Sequence, residues 1–290
     1  MRQPMGLGPD YDRFKDGKWS LWIRREKWNE QLWPSVMRLV AQQPFSKHPQ
    51  TLAIKLPYDV GGELLFLKVF HGSSGLTALK DIFRDSKALR SMRQAVALAR
   101  FNFNVPITVA AGEKREHRLL RQAFVLTIGV NGQSLPIFLK ECALGASNIS
   151  LSEKRHGLKQ LAMEVRRLHE LGFVHGDLVP TNILLCRSTG EGSRFFFIDN
   201  DRTRHYPPWV PHALWRRNLV QLNRIPLAGI TLQDRLRFLG YYLGSEKWAR
   251  KERHLLAWFE RKTRQRRKEC DLVDSSGSFR RLMRWRGELS

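Results

Sequence analysis

An α+β fold in two lobes, strand-rich first and mainly helical after, is what this sequence predicts. Three observations carry it. Apolar runs with turn residues between them dominate residues 48–145. Long stretches with helical period follow from Ser152. The polar tripeptide His175-Gly176-Asp177 then interrupts the helical half, next to two short apolar strands. The periods of 2 and 3.6 residues are the signals behind this division.

The elements follow in order. Residues 19–43, with Trp19, Trp22, Ile23, Trp28, Leu32, Trp33, Val36 and Val40 among basic residues, read as one amphipathic helix that Pro34 should kink. It packs on the body of the protein or, alternatively, lies at a membrane interface. Thr51–Tyr58 and Glu63–Phe70 read as a hairpin around Asp59-Val60-Gly61-Gly62. A helix over 76–101 precedes Val105-Pro106. Ala123–Val130 and Leu135–Lys140 read as a second hairpin joined by Asn131-Gly132. A helix with Leu158, Leu161, Val165 and Leu168 stops at Gly172. Strands at Asn182–Cys186 and Phe195–Ile198 come next, then helices over 212–222 and 231–260. The expected division is an extension (1–47), a first lobe (48–145), a second lobe (146–260) and a basic tail (261–290).

The gross numbers exclude several classes. At 290 residues, 42% hydrophobic and 27% charged, the chain has the composition of a folded protein. Cys142, Cys186 and Cys270 form no CxxC pair, so neither a disulfide framework nor a zinc site is supported. No run reaches the about 18 apolar residues of a spanning helix, and the first residues lack the apolar core of a secretion signal. A net charge of +23 predicts an anionic partner: nucleic acid, an anionic membrane surface, or a phosphorylated substrate. No nucleic-acid-binding motif accompanies that charge.

The chemistry sits in a constellation. Asp177 and Asn182 lie five residues apart on one loop, and Asp199 ends the next strand but one. Oxygen donors of this kind suit Mg²⁺ together with phosphate oxygens, and Asp177 can accept the proton of an attacking hydroxyl. Lys68 lies mid-strand among apolar residues, where a charge needs a partner such as a nucleotide phosphate. Each element alone is a common polar feature. Their order, a lysine, then HxDxxxxN, then an apolar strand ending in aspartate, is specific.

That order resembles the protein-kinase-like phosphotransferases, and more narrowly the lipopolysaccharide core kinase family of Gram-negative bacteria, with its Kdo and heptose kinases. The segments that carry the resemblance are Phe66-Leu67-Lys68-Val69-Phe70, Ser86-Lys87-Ala88-Leu89, Val105-Pro106, the run His175–Leu184, the run Phe197–Arg202 and Asp234–Leu243. The resemblance spans about 50 to 250. It implies a two-lobed protein-kinase-like fold and an ATP- and Mg²⁺-dependent transfer to a sugar hydroxyl of the lipopolysaccharide core. It implies Asp177 as catalytic base, Asn182 and Asp199 as Mg²⁺ ligands, and Lys68 as the phosphate-binding lysine, with Gly61 and Gly62 approaching the nucleotide. It also implies an anionic glycolipid substrate at the cytoplasmic side of the inner membrane, where the chain would be peripheral. Two departures stand out. Ser91 occupies the place of the helix glutamate that pairs with such a lysine, with only Asp81 and Asp85 before it and no acid again until Glu113. Val179 stands where His or Lys is usual. A kinase for another acceptor, and a catalytically weak protein that binds nucleotide or anionic lipid, are the alternatives.

Overall fold

The structure is a computed structural model. It describes residues 10–27, 32–44, 50–54, 64–72, 81–145, 149–188, 192–207, 209, 213–225, 227, 229–244 and 250–273. The chain divides into two compact units: residues 1–131 with 196–203, and 132–195 with 204–290.

The first unit is built on a six-stranded antiparallel sheet of β1 (Tyr11–Asp16), β2 (Trp19–Arg24), β3 (Gln50–Ile54), β4 (Leu65–His71), β5 (Thr108–Glu116) and β6 (Leu119–Ile128), in the order β1-β2-β5-β6-β4-β3. Helix α1 (Leu32–Gln42) covers one face. Its Leu32, Val36 and Val40, spaced one turn apart, are fully buried against Leu65, Leu67, Phe124 and Leu126. Helix α2 (Lys87–Arg100) covers the other face, where Ala88, Leu89 and Met92 meet Trp22, Phe70, Ala123 and Val125. A sheet covered on both faces reads as a continuous apolar run.

That double cover explains the first correction. Residues 19–43 are not one helix: Trp19–Arg24 is a strand and Leu32–Gln42 is the helix. Trp19, Leu21 and Ile23 face α1 while Trp22 faces α2, so alternation is invisible in the sequence. Pro34 causes no kink because it sits in the first turn of α1, where a missing N–H costs nothing. Trp19 and Trp22 are buried core residues, and Trp28 lies outside the described residues. Trp33 packs on Trp19 and Phe124 and donates from Nε1 to Asp16 at 2.8 Å.

The second unit is mainly helical. Its helices are α3 (Leu135–Leu144), α4 (Leu151–Glu170), α5 (Ala213–Leu222), α6 (Leu232–Leu243) and α7 (Arg250–Val273). The strands β7 (Gln133–Ser134), β9 (Ile183–Ser188) and β10 (Gly192–Phe197) form a small sheet in the order β10-β9-β7, and β8 (Phe173–Val174) pairs with β11 (Arg204–His205). Leu135–Lys140, expected as a strand, is helical instead. Ser134 precedes the helix, Pro136 lies in its first turn and Gly145 ends it in the left-handed region. A short apolar run cannot by itself tell strand from helix, and here its ends decided. The stretch expected as a single helix over 231–260 contains α6, ending at Leu243, and α7, starting at Arg250. The Asp59–Gly62 turn of the first hairpin lies outside the described residues.

A buried ion pair ties α4 to α6. Lys154 Nζ lies 2.7 Å from Asp234 Oδ2, and both side chains are nearly inaccessible. Asp234 also caps α6 through Thr231, which donates to it from its backbone N–H and its hydroxyl. Burial would push the Asp234 carboxyl up, but Lys154 and Thr231 together hold it below the usual carboxylate range. Removing one partner of such a pair strands the other charge. Lys154→Met should therefore cost about 3 kcal/mol in urea unfolding. Arg166→Ala, which removes an exposed pair with Glu170, should cost no more than about 0.5 kcal/mol.

Candidate active site

Lys68 and Asp199 meet in the first unit. The register of β4 against β6 places Lys68 opposite Val125. Lys68 Nζ lies 2.6 Å from Asp199 Oδ1, with both side chains partly exposed. Asp199 reaches it from a left-handed backbone, φ 61° and ψ 51°, at the mouth of a 3₁₀ turn over Asn200–Arg202. Aspartate adopts that region more readily than most residues. The turn is held from beneath. Buried Asn200 donates to the Phe197 carbonyl, Thr203 N–H donates to the Asn200 carbonyl, and Phe197 N–H donates to the Asn104 carbonyl. Phe103 packs edge-on against Phe197. Asp201 shares the charge cluster. Burial raises its carboxyl first and the neighbouring Asp199 next, while Lys68, Arg202 and Arg90 oppose them.

Helix α2 supplies no carboxylate to Lys68, in keeping with Ser91; the ion pair with Asp199 takes that place. Glu113 has another task. It is buried on β5, accepts from the Ser86 N–H at 3.3 Å and from Arg115 Nε at 3.0 Å. Arg115 in turn donates to the carbonyls of Asp81 and Arg84. Ser86 is the N-cap of α2, its hydroxyl accepting from Leu89 N–H. Glu113 and Arg115 thus fasten the start of α2 to the sheet.

Asp177 and Asn182 meet in the second unit. Helix α4 opens on a Ser150–Glu153 capping box and ends at Leu171. Gly172 has φ +81° and lies against the Tyr206 carbonyl, where a Cβ would clash. This turn aims β8 into the loop. Leu178, Val179 and Pro180 are buried, so Val179 serves the core at the position where His or Lys was expected. Asn182 donates from Nδ2 to the Asp177 carbonyl at 2.9 Å, and Val179 N–H donates to the same carbonyl at 2.9 Å. With its N–H occupied, the Asn182 amide retains its oxygen as an acceptor.

A network behind the loop went unread in the sequence. Fully buried His175 accepts the Asp177 N–H on Nδ1 at 3.2 Å. Asn218 on α5 donates to the His175 carbonyl and to Gln221 Oε1, and Gln221 donates to the Gly176 carbonyl at 3.2 Å. Asn218 Oδ1 lies 3.1 Å from His169 Nε2, and His169 Nδ1 lies 2.9 Å from the Tyr242 hydroxyl. With Asn218 using its amide hydrogens elsewhere, the network assigns the His169 proton to Nε2. Burial raises the Tyr242 hydroxyl. The amides at 218 and 221 lie within a helical pattern that gave no sign of what they would hold.

Among the described residues no group of three His, Cys, Asp or Glu side chains is placed to hold a metal. The Asp199 carboxylate in the first unit and the Asn182 amide oxygen in the second are each hard oxygen donors of the type that suits Mg²⁺. A half-buried lysine beside that carboxylate fits a phosphate. Gly61 and Gly62 lie outside the described residues.

Comparison with known proteins gives a family match and many matching solved structures. The family described as lipopolysaccharide kinase (Kdo/WaaP) matches residues 66–242. WaaP, solved in complex with acyl carrier protein, superposes with a TM-score of 0.57 at 21% identity, over 82% of this chain and 95% of that one. The PknI kinase domain of Mycobacterium tuberculosis gives 0.36 at 15% identity, over 72% of this chain and 73% of that one. No curated protein matches the chain in sequence. At such identity the likeness to WaaP is one of fold.

His169 sets a pH dependence. Burial, then the Asn218 contact in opposition, leaves its pKa lowered to about 4. The unfolded chain takes up that proton near 6.5, so the stabilisation is present above that pH and is lost as pH falls toward 4. Unfolding free energy should drop by about 2 kcal/mol between pH 7 and pH 5. His169→Phe should flatten this slope, as read in urea melts at the two pH values.

Proposed function

This chain belongs to the lipopolysaccharide kinase (Kdo/WaaP) family, and we propose that it phosphorylates a hydroxyl of Kdo or heptose in the lipopolysaccharide inner core, using ATP and Mg²⁺. As members of a kinase family do, it transfers a phosphoryl group to an alcohol. The observation that carries the finer reading is the Asp177–Asn182 loop, whose backbone is held by buried amides rather than left to solvent.

Bound Mg²⁺-ATP would supply the phosphoryl group and neutralise the charge that builds on it. Asp177 takes the proton of the sugar hydroxyl while that oxygen forms its bond to phosphorus and the bond to the ADP oxygen breaks. Asn182, through its amide oxygen, and Asp199, through its carboxylate, would hold the Mg²⁺. Lys68 holds phosphate oxygens, exchanging part of its contact with Asp199 for them. Gly61 and Gly62 let the backbone approach the nucleotide. The Asp177 peptide carries no freedom to drift, since its N–H is bound to His175 and its carbonyl to Asn182 and Val179. Orientation of this sort is most of what an enzyme contributes to phosphoryl transfer.

The substrate reading places the chain on the cytoplasmic side of the inner membrane as a peripheral protein. A net charge of +23 supports it, since the glycolipid and the membrane surface are both anionic. No described helix is long and apolar enough to cross a membrane. Acyl carrier protein, found with the solved WaaP, is a partner we carry over as well. An apolar cavity of about 140 Å³ in the second unit, lined by Leu139, Leu161, Leu219, Leu239 and Phe259, supports a place for an acyl group. Co-expression should recover the two proteins together, and Leu161→Arg should abolish that recovery.

The central test uses purified protein, labelled ATP, Mg²⁺ and core-truncated lipopolysaccharide. Label should enter the glycolipid, and Asp177→Ala should slow transfer about 10²- to 10⁴-fold. ATP binding without transfer to any glycolipid would favour the weakly catalytic, lipid- or nucleotide-binding alternative.

A further inference from the structure

Helices α5 and α7 enclose a concavity of about 350 Å³ in the second unit, lined by Arg217, Gln221, Trp258, Lys262, Gln265 and Arg266. Three cations, two amides, an indole and Val220 make its wall, with no acid among the described lining residues. Lys262 and Arg266 are four residues apart on α7, a spacing at which like charges repel. Of the acids near them on α7, Glu260 is engaged with Arg264 at 2.7 Å, and Glu269 follows three residues after Arg266.

The wall is rigid. Arg267 donates to the carbonyls of Asn223 and Arg224 at the end of α5, and Asn223 donates to buried Thr263. The Arg216 guanidinium lies 5.6 Å from the Trp215 ring centroid and 5.7 Å from that of Trp258, which fixes the indole. Gln221 lines the concavity and also donates to the Gly176 carbonyl. One side chain therefore joins this surface to the loop that carries Asp177. Charge of one sign gathered in a concave, braced wall raises the local concentration of the opposite ion.

We propose that the α5–α7 cleft is a binding site for a phosphate ester, its oxyanions held by Arg217, Lys262 and Arg266. Arginine's fork and lysine's point charge both suit phosphate oxygens. The Gln265 carbonyl oxygen accepts from Lys262 at 3.0 Å and steadies that ammonium in the wall. The chemistry is shared by a phospholipid headgroup and a soluble phosphate monoester.

The test is a binding measurement on the full chain, without ATP or glycolipid acceptor, so that its outcome is independent of phosphoryl transfer. The probes are vesicles of phosphatidylglycerol in phosphatidylcholine, read by co-sedimentation, and glycerol 3-phosphate, read by calorimetry. The variant is Arg217→Gln/Lys262→Gln/Arg266→Gln, in which Arg217 and Arg266 are exposed and Lys262 is half-buried. A second variant, Lys15→Gln/Lys87→Gln/Arg118→Gln, removes the same charge from exposed sites of the first unit. The cleft variant should bind at least one probe about 10- to 100-fold more weakly than the control variant does. Loss for the vesicles alone identifies a lipid headgroup, and loss for both identifies any phosphate ester. Equal loss in the two triple variants, or no loss in either, overturns the proposal. Arg217→Gln alone, with circular dichroism matching the parent chain, repeats the test should the triple variant fold poorly.

Discussion

A charged lysine in the middle of a doubly covered sheet is the constraint from which the first unit takes its form. Lys68 has α1 packed on one face of its sheet and α2 on the other. A charge so placed needs a counter-charge nearby. Asp199 provides it from 131 positions along the chain. To reach, it adopts a left-handed backbone, and the Asn200–Thr203 turn and the Phe197–Asn104 hydrogen bond hold it there. This is why residues 196–203 belong to the first unit although the strands around them belong to the second.

Replacement of the helix acid by Ser91 has its counterpart in these contacts. The sheet carboxylate at Glu113 is spent on fastening the N-terminus of α2 through Ser86 and Arg115. The position of α2 thus depends on a backbone clamp instead of a lysine–glutamate pair. Arg90 and Asp201 extend the same cluster: burial and Arg84 lower the Arg90 guanidinium while Asp201 opposes them. Charge is balanced locally by a different set of residues from the one the family pattern leads a reader to expect.

The second unit solves a different problem, which is how to hold a loop without stiffening it by regular structure. Carbonyl and N–H groups of a buried loop must all be paired. His175, Asn182, Asn218 and Gln221 pair those of residues 175–177. His169 and Tyr242 complete the chain of donors on α4 and α6. Val179 is apolar because it is buried beneath that loop, so its departure from a charged residue reflects the core and not the chemistry.

By itself the sequence determined the two-part α+β order, the Lys68, Asp177, Asn182 and Asp199 positions, and the apolar strands beside them. These are local patterns or fixed spacings, which a chain states directly. Tertiary structure decided what local pattern leaves open. Trp19–Arg24 is a strand because helices cover both its faces, and period is lost when both faces are apolar. Leu135–Leu144 is a helix because of its ends. Glu113, Asn218 and Gln221 became positioning residues only through partners tens of residues away, and no spacing announces those. The candidate residues Lys68, Asp177, Asn182 and Asp199 stood out because their types are rare in apolar surroundings; the residues that hold them in place did not, because an amide on a helix looks the same whether it meets water or a loop carbonyl.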